Sequence, residues 1–230
     1  FRSLPVDLRL FPGEEVHPPE NPLHIINFGG NESINACFAQ KARYYREVKQ
    51  IEDEIRDLPE GALRYQYASA VWCYRRIRAA GGLGIFVHPY WFTEERYNVP
   101  EALIEKHFRE QPFDAFELIG GYPVHEAECN ALQVSRYHHE RSQGRELPIV
   151  GATDCHVVHR GDYFGWYFTI LFAPPAELPD VIAAVKGLRS VAVEALPGQA
   201  VHIHGPFRLV KYAHFLTREI FPLHDALCAQ

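Results

Sequence analysis

Strand-like and helix-like segments alternate along this 230-residue chain, and this alternation constrains its fold more than any other feature of the sequence. Short apolar runs at residues 83–87, 115–119 and 147–152 predict buried strands. Longer segments with apolar residues at helical spacing, at residues 62–79 and 178–188, predict helices between and after them. Such an order predicts an α/β protein with a largely parallel sheet and helices packed outside it.

The rest of the chain follows the same pattern. Further strands are predicted at residues 7–16, 23–28, 167–172 and 191–195. Further helices are predicted at residues 33–56 and 125–143 and from residue 99 onward, and residues 201–227 read as a strand and then a terminal helix. The sequence shows no repeat and no obvious linker, so a single domain over residues 1–230 is expected.

Composition and charge limit the classes of partner. The formal net charge is -6, whereas nucleic-acid phosphates attract basic surfaces, so nucleic acid is not an expected partner. The sequence has no uninterrupted apolar stretch of membrane-spanning length, so no membrane partner is expected. Its five cysteines are well separated and odd in number, which favours a reducing cytoplasm over a disulfide framework.

Imidazoles and carboxylates stand close to the ends of several predicted strands. Glu15 lies late in the first strand, His24 lies on the next, and His88 follows the strand at residues 83–87. Asp154 and His156 follow the apolar run at residues 147–152. Active sites of α/β proteins gather at the C-terminal ends of the strands, and zinc, manganese and iron accept this mixture of nitrogen and oxygen ligands.

Each of these residues also has a purely structural explanation. His-Pro after a strand is common in turns, and Thr-Asp-Cys-His at residues 153–156 is compatible with a helix cap or an Asx-turn. Glu15 is compatible with an ordinary salt bridge, and some of the 13 histidines fall near strand ends by chance. The joint placement favours a metal site, because a structural explanation must account for each strand end separately.

Four motifs occur in a fixed order: Pro-Gly-x-Glu at residues 12–15, a strand histidine followed by glycine at 24–29, Phe-Val-His-Pro at 86–89 and Gly-x-Thr-Asp-x-His at 151–156. This ordered set resembles the PHP (polymerase and histidinol phosphatase) superfamily. Residues 167–190 are similar to the end of the domain in the branch that contains carbaryl-hydrolase-like members. The resemblance implies a distorted (β/α)7 TIM-like barrel that holds two or three divalent metal ions.

The resemblance also implies a role for each candidate residue. Glu15 would bridge two ions, and His24 and His88 would complete the ligands of one of them. Asp154 would bind the other main ion, and His156 would bind that ion or a third. Two further candidates fall outside the general family pattern: His17 as a metal ligand, and Glu117 as a residue that supports the ligands or closes a salt bridge.

The chain departs from the family pattern at its start. The opening His-x-His motif of the family and the Asp-His pair that follows it have no counterpart here. His202-Ile203-His204 has the right spelling but lies at the other end of the chain. Because the chain begins at Phe1 and contains no methionine, we expect the N-terminal strands of the barrel to be missing from this sequence.

These residues predict a metal-dependent hydrolase, most simply a phosphoesterase that uses a metal-activated water, with Asp154, His156 and Glu15 as catalytic residues. Arg160 would clamp a phosphate oxygen or be a surface arginine. Tyr90 and Trp91 would stack on an aromatic or nucleobase part of the substrate or pack at the rim. The alternatives are an aryl ester, carbamate or amide hydrolase and a lapsed barrel with a structural or regulatory role. The substrate would be a small phosphorylated or aryl ester molecule, and the oligomeric state stays open.

Overall fold

The computed structural model describes residues 9–122, 126, 128–156, 164–174 and 177–228. Ten strands are assigned in these ranges: β1 Gly13–Val16, β2 Ile25–Phe28, β3 Leu83–Phe86, β4 Phe92–Thr93, β5 Arg96–Tyr97, β6 Ala115–Gly120, β7 Ile149–Ala152, β8 Tyr167–Leu171, β9 Ser190–Glu194 and β10 His202–His204. Eight α-helices are assigned: α1 Ile34–Cys37, α2 Lys41–Glu52, α3 Ala62–Ala79, α4 Glu101–Glu110, α5 Glu128–Ser142, α6 Leu178–Lys186, α7 Phe207–Phe215 and α8 Phe221–Cys228. A π-helical turn, Leu216–Ile220, joins α7 to α8.

A mixed sheet of five strands forms the centre of the fold, in the order β1-β2-β3-β6-β7. β2 is antiparallel to both of its neighbours, β1 and β3. β3, β6 and β7 run parallel to one another. The C-terminal ends of β1, β3, β6 and β7 and the beginning of β2 therefore lie at one edge of the sheet.

The expected (β/α)7 TIM-like barrel is wrong, because no closed barrel is found in the described ranges. β1 and β2 are joined by residues 17–24, a connection too short for the crossover that a parallel pair requires. β8, β9 and β10 form a separate antiparallel sheet in the order β10-β9-β8. The chain is a mixed α/β protein, but its strands do not repeat a single strand-helix unit.

Side-chain hydrogen bonds connect the antiparallel sheet to β7. Thr169 Oγ1 accepts the Gly151 N–H at 2.9 Å and donates to the Gly151 carbonyl at 2.9 Å. Ser190 Oγ donates to the Ile149 carbonyl at 2.7 Å. A Cβ at Gly151 would lie 2.5 Å from the Phe168 carbonyl oxygen, so this close approach requires glycine.

The core on the helical side of the sheet is built around Phe86 of β3. Its ring lies 5.7 Å from that of Phe108, 5.4 Å from that of Phe113 and 6.0 Å from that of Phe116, measured between centroids. Phe86, Phe108 and Phe116 are fully buried. Because a Phe→Ala change in such a core costs about 3–5 kcal/mol, this cluster fixes β3 against α4 and β6.

Most predicted elements are present, but several differ in extent. The strand predicted at residues 7–16 is shorter within the described residues, where β1 covers only Gly13–Val16. The single helix predicted at residues 33–56 is two helices, α1 and α2, because the chain turns at residues 38–40. The β4–β5 hairpin after Trp91 was not predicted, and its two-residue strands carry too little periodicity to be recognised. None of the described helices has the length and apolar character needed to cross a membrane.

Candidate metal centre

The candidate site lies at the edge where β1 ends and β2 begins. The strand register places Val16 beside Ile25, and Ile25 beside Phe86. Glu15 is in β1, His24 directly precedes β2, and His88 follows β3 by two residues. Because β2 is antiparallel to both neighbours, its first residue reaches the same edge as the last residues of β1 and β3.

Glu15, His24 and His88 form the one group of three or more potential ligands found in the described residues, with ligand atoms all within 4.8 Å of one another. Glu15 Oε1 lies 2.9 Å from His24 Nδ1 and 3.4 Å from His88 Nε2. The two imidazole nitrogens are 3.0 Å apart. Two histidines and one carboxylate are a usual ligand set of catalytic zinc, which leaves a further coordination position open.

Glu117 of β6 contacts His88 on the side of the imidazole ring away from Glu15. Its Oε2 accepts the backbone N–H of His88 at 2.8 Å and lies 3.0 Å from His88 Nδ1. We assign the imidazole proton to Nδ1, because the carboxylate can only accept it. A metal ion that displaced the second proton would find the Nε2 lone pair directed toward Glu15 and His24, an arrangement found where a carboxylate orients a metal-binding histidine.

The second oxygen of Glu117 supports the same interpretation. Glu117 is 1% exposed, and its Oε1 has no hydrogen-bond partner among the described residues. A buried carboxylate with an unpaired oxygen is costly unless positive charge lies close to it. The donor set therefore fits a divalent cation, and the unpaired oxygen fits positive charge at His88, which a second imidazole proton or a bound cation supplies.

Backbone conformation also fixes His88. Its φ of 24° is unusual for a residue with a side chain. Gly121, with φ of +72°, lies so near that an added Cβ would be 2.6 Å from His88 Nδ1. The preceding Gly120 donates its N–H to Asn130 Oδ1 at 2.9 Å. A glycine pair directly after a buried strand is a sequence signal of such close backbone approach.

The carboxylates dominate the electrostatics of the site. Burial lowers the pKa of His88, but Glu117, Glu15 and Asp154 raise it more, to about 10. Hydrogen bonds from His24 and then His88 hold the pKa of Glu15 well below its usual range, against the effect of burial. The site therefore attracts positive charge, whether a proton or a metal ion supplies it.

His17 lies on the outer side of Glu15. Its Nε2 is 3.6 Å from Glu15 Oε2, and its ring centroid is 4.4 Å from that of His24. The two oxygens of Glu15 thus face different histidines. Because the His17 side chain is 57% exposed, it is less firmly held than His24 or His88, and its role as a ligand stays a prediction.

Asp154 and His156 are placed differently from each other. Burial raises the pKa of Asp154, His88 opposes this rise and Glu15 adds to it, so the carboxylate lies within electrostatic reach of the site. It is not part of the three-residue ligand group. The His156 side chain is 75% exposed, and its Nε2 lies 3.8 Å from Asp154 Oδ1. Asp154 is near the rim of the site, whereas His156 faces solvent.

The residues expected to bind substrate also differ in their positions relative to the site. The Trp91 ring stacks on His24 at a centroid distance of 5.1 Å, and its Nε1 donates to the Pro22 carbonyl at 3.3 Å. Tyr90 donates its backbone N–H to Tyr122 Oη at 3.2 Å, and burial raises the pKa of Tyr90 to about 12. Trp91 therefore covers a candidate ligand, while Tyr90 belongs to the packing behind it. Arg160 lies outside the described residues.

A comparison of the chain with protein-family models finds no match, and a search of curated proteins finds none. The resemblance to the PHP superfamily therefore stays a prediction from the four motifs. Any functional conclusion rests on the geometry of Glu15, His24 and His88 and on the residues that hold them.

Proposed function

We propose that this protein is a metal-dependent hydrolase, with phosphate esters as its first candidate substrates. The observation that carries the proposal is the convergence of Glu15, His24 and His88 on one point, with Glu117 fixing the proton of His88 on the far side of the ring. Structural salt bridges of histidine are common, but they do not require two imidazole nitrogens 3.0 Å apart that both face one carboxylate oxygen.

The candidate ligands and their neighbours would have different roles. Glu15, His24 and His88 would hold one ion, and Glu15 Oε2, with His17 or Asp154, would hold a second. Zinc, manganese or iron fits these donors. Such an ion lowers the pKa of a water molecule that it binds and polarises the oxygen of a phosphoryl or carbonyl group. Asp154, whose pKa is raised by burial, would accept and return a proton at the rim of the site.

Charge distinguishes phosphate esters from neutral substrates. Glu15, Glu117 and Asp154 make the site strongly negative, so an anionic ester requires the charge of two cations. A single ion would favour a neutral aryl ester, carbamate or amide, and Trp91 stacked on His24 offers an aromatic wall for it. This second candidate therefore differs from the first in the number of metal ions bound.

A small-molecule substrate and a cytoplasmic location belong to the same proposal. The candidate centre lies at the end of a sheet, the usual place for a small substrate in α/β proteins. Cys37, Cys73 and Cys129 are free thiols. Free thiols are compatible with a reducing compartment.

Metal content and turnover measured on the same preparations test the proposal. After removal of metal with a chelator, the protein is titrated with zinc, manganese and iron(II), and assayed with phosphomonoesters, phosphodiesters, aryl esters and aryl carbamates. We expect at least one ion per chain and hydrolysis of one of these classes. His24→Ala should lose both, whereas His214→Ala, an exposed histidine on α7, should lose neither.

The two measurements also separate the alternatives. Two ions with phosphoesterase activity support the first candidate, and one ion with activity on neutral esters supports the second. Metal binding without turnover of any substrate class would contradict the hydrolase while retaining the metal centre. Less than one ion per chain under all conditions would contradict both.

A further inference from the structure

The C-terminal rod, residues 207–228, concentrates the exposed apolar surface of the described residues. It consists of α7, the π-helical turn and α8 in one uninterrupted helical segment. Thirteen large apolar side chains are exposed in the described ranges, and seven of them lie on this rod: Phe207, Tyr212, Phe215, Ile220, Phe221, Leu223 and Leu227. Such a concentration is typical of a surface that another molecule covers.

The two halves of the rod have different surroundings. In the first half, Ala213 is buried in a cluster with Val191 and Val193 of β9, and Leu209 and Val210 pack against that cluster. In the second half, every residue from 218 to 227 is exposed. This second half, which we name the arm, extends about 15 Å beyond the last buried contact at the usual helical rise.

A groove lies on the outer side of the first half. Its walls are Arg208, Leu209, Lys211, Tyr212 and Phe215, and its volume is about 760 Å³. Tyr212 and Phe215 stack at a centroid distance of 6.5 Å and remain about half exposed. The groove is therefore an apolar floor bordered by two cationic side chains.

The arm has the complementary character. Ile220, Leu223 and Leu227 share one face of the arm and supply apolar side chains of the size that the groove can accept. Because arm and groove belong to one continuous helix, the arm points away from the groove of its own chain. A second copy of the chain can place its arm in this groove, which the arm of the first copy cannot reach.

Two rods in antiparallel alignment cover the arm and the groove of both copies at once. A two-fold axis between Thr217 and Arg218 places residues 220–227 of each copy against residues 208–215 of the other. This arrangement repeats the same contact twice, as closed two-fold dimers do. Parallel rods would instead place groove against groove and arm against arm.

The area available is sufficient for a stable contact. Five of the seven can share one contact face: Tyr212, Phe215, Ile220, Leu223 and Leu227. With roughly 100 Å² of exposed surface on each, two copies would bury about 1,000 Å², the lower limit for a specific protein interface. We propose that two copies of this chain form a dimer in which the arm of each occupies the groove of the other. The contact lies on the rod and uses none of the candidate metal ligands.

Sedimentation equilibrium of the full chain tests the dimer. We expect a dimer, and we expect the combined change Leu223→Asp and Leu227→Asp to raise the dissociation constant at least about 30-fold, because it places charge in the centre of the contact. Leu10→Asp is the matched control: it is the same substitution at a side chain 68% exposed outside the rod, and it should leave the dimer unchanged. Circular dichroism confirms that each variant is folded.

Three results would contradict the dimer. A chain that stays monomeric at about 100 µM would overturn the proposal, since an interface of about 1,000 Å² should associate there. A dimer that tolerates the arm variant would overturn it equally. So would a monomer whose arm binds lipid vesicles.

Discussion

Two deeply buried histidines, His88 and His107, show how differently this fold uses the same side chain. His88, 5% exposed, lies among carboxylates at the sheet edge, and the pKa of its imidazole is raised to about 10. His107, fully buried on α4, lies against aromatic rings, and burial lowers its pKa to about 4. Burial alone therefore does not identify a functional histidine; the charges around it do.

The surroundings of His107 are those of a core residue. Its ring stacks on Phe86 at 5.0 Å and meets Tyr67 edge-on at 5.0 Å. Its Nδ1 lies 2.7 Å from the carbonyl of Leu103, one helical turn earlier. Its Nε2 has no hydrogen-bond partner among the described residues. Such a neutral imidazole contributes shape and packing to the core.

The largest expected effect is the loss of metal on removal of His88. We expect His88→Ala to lower metal affinity by more than ~100-fold, beyond the range typical for residues that only support a ligand. His107→Phe, which preserves an aromatic ring in the core, should keep metal affinity within about 3-fold of the wild type if it acts only through packing. Isothermal titration with zinc measures both. Equal losses in the two variants would show that the distinction between these histidines is wrong.

The second effect concerns acid stability and belongs to His107. An unfolded histidine binds a proton near pH 6.5, whereas His107 in the fold does so only near pH 4. Protonation therefore favours the unfolded state, and stability is lost as the pH falls from about 6.5 to about 4. In His107→Phe this loss should be smaller by up to ~3 kcal/mol at pH 4, as measured by urea unfolding across that range. Parallel curves for both proteins would contradict the assignment.

Glu117→Gln should have a third, smaller effect on the metal site. The amide keeps the size of the side chain but removes the charge that orients and polarises His88, so metal affinity should fall about 10- to 100-fold. In metal-free protein the pKa of His88, followed by NMR, should fall as well. Glu105→Gln, an exposed carboxylate on α4, is the control and should change neither quantity. A loss of metal affinity with an unchanged pKa of His88 would point to structural damage instead.

The smallest effect is expected at His156. Because its side chain is 75% exposed and meets Asp154 only at 3.8 Å, His156→Ala should change metal affinity by less than about 3-fold. Asp154→Asn should change the metal affinity more, because the Asp154 carboxylate interacts electrostatically with His88 and Glu15. A larger loss for His156 than for Asp154 would reverse this order and place the imidazole among the ligands.

Local sequence signals predicted many of the elements and the three residues of the ligand group. The apolar run before His88 and the predicted strand that contains Glu15 are short-range patterns. Alternation and apolar content can be read from residues that are neighbours along the chain. His24 was predicted as a residue on a strand, whereas in the structure it precedes β2. It still reaches the site, since β2 runs in the opposite direction to β1 and β3.

The direction of pairing was not predictable in the same way. The expected barrel assumed that successive strands are parallel, and the sheet contradicts this at β2 and throughout β8, β9 and β10. Periodicity reports which face of a strand is buried, and it is the same for both directions. For β1 and β2, the six residues between the predicted strands already indicate an antiparallel pair. For the other pairs, strand direction depends on packing partners that only the folded chain assembles.

The sequence by itself determined where apolar runs stop and which ligand types follow them, because both are properties of neighbouring residues. Only the tertiary structure decided that Glu117, 29 positions beyond His88, accepts two of its N–H groups, while Phe86, two positions before it, stacks on His107 instead. Contacts at such separation form through packing of the whole sheet against its helices. For that reason the sequence predicted which types of ligand are present, but not the environment of each histidine.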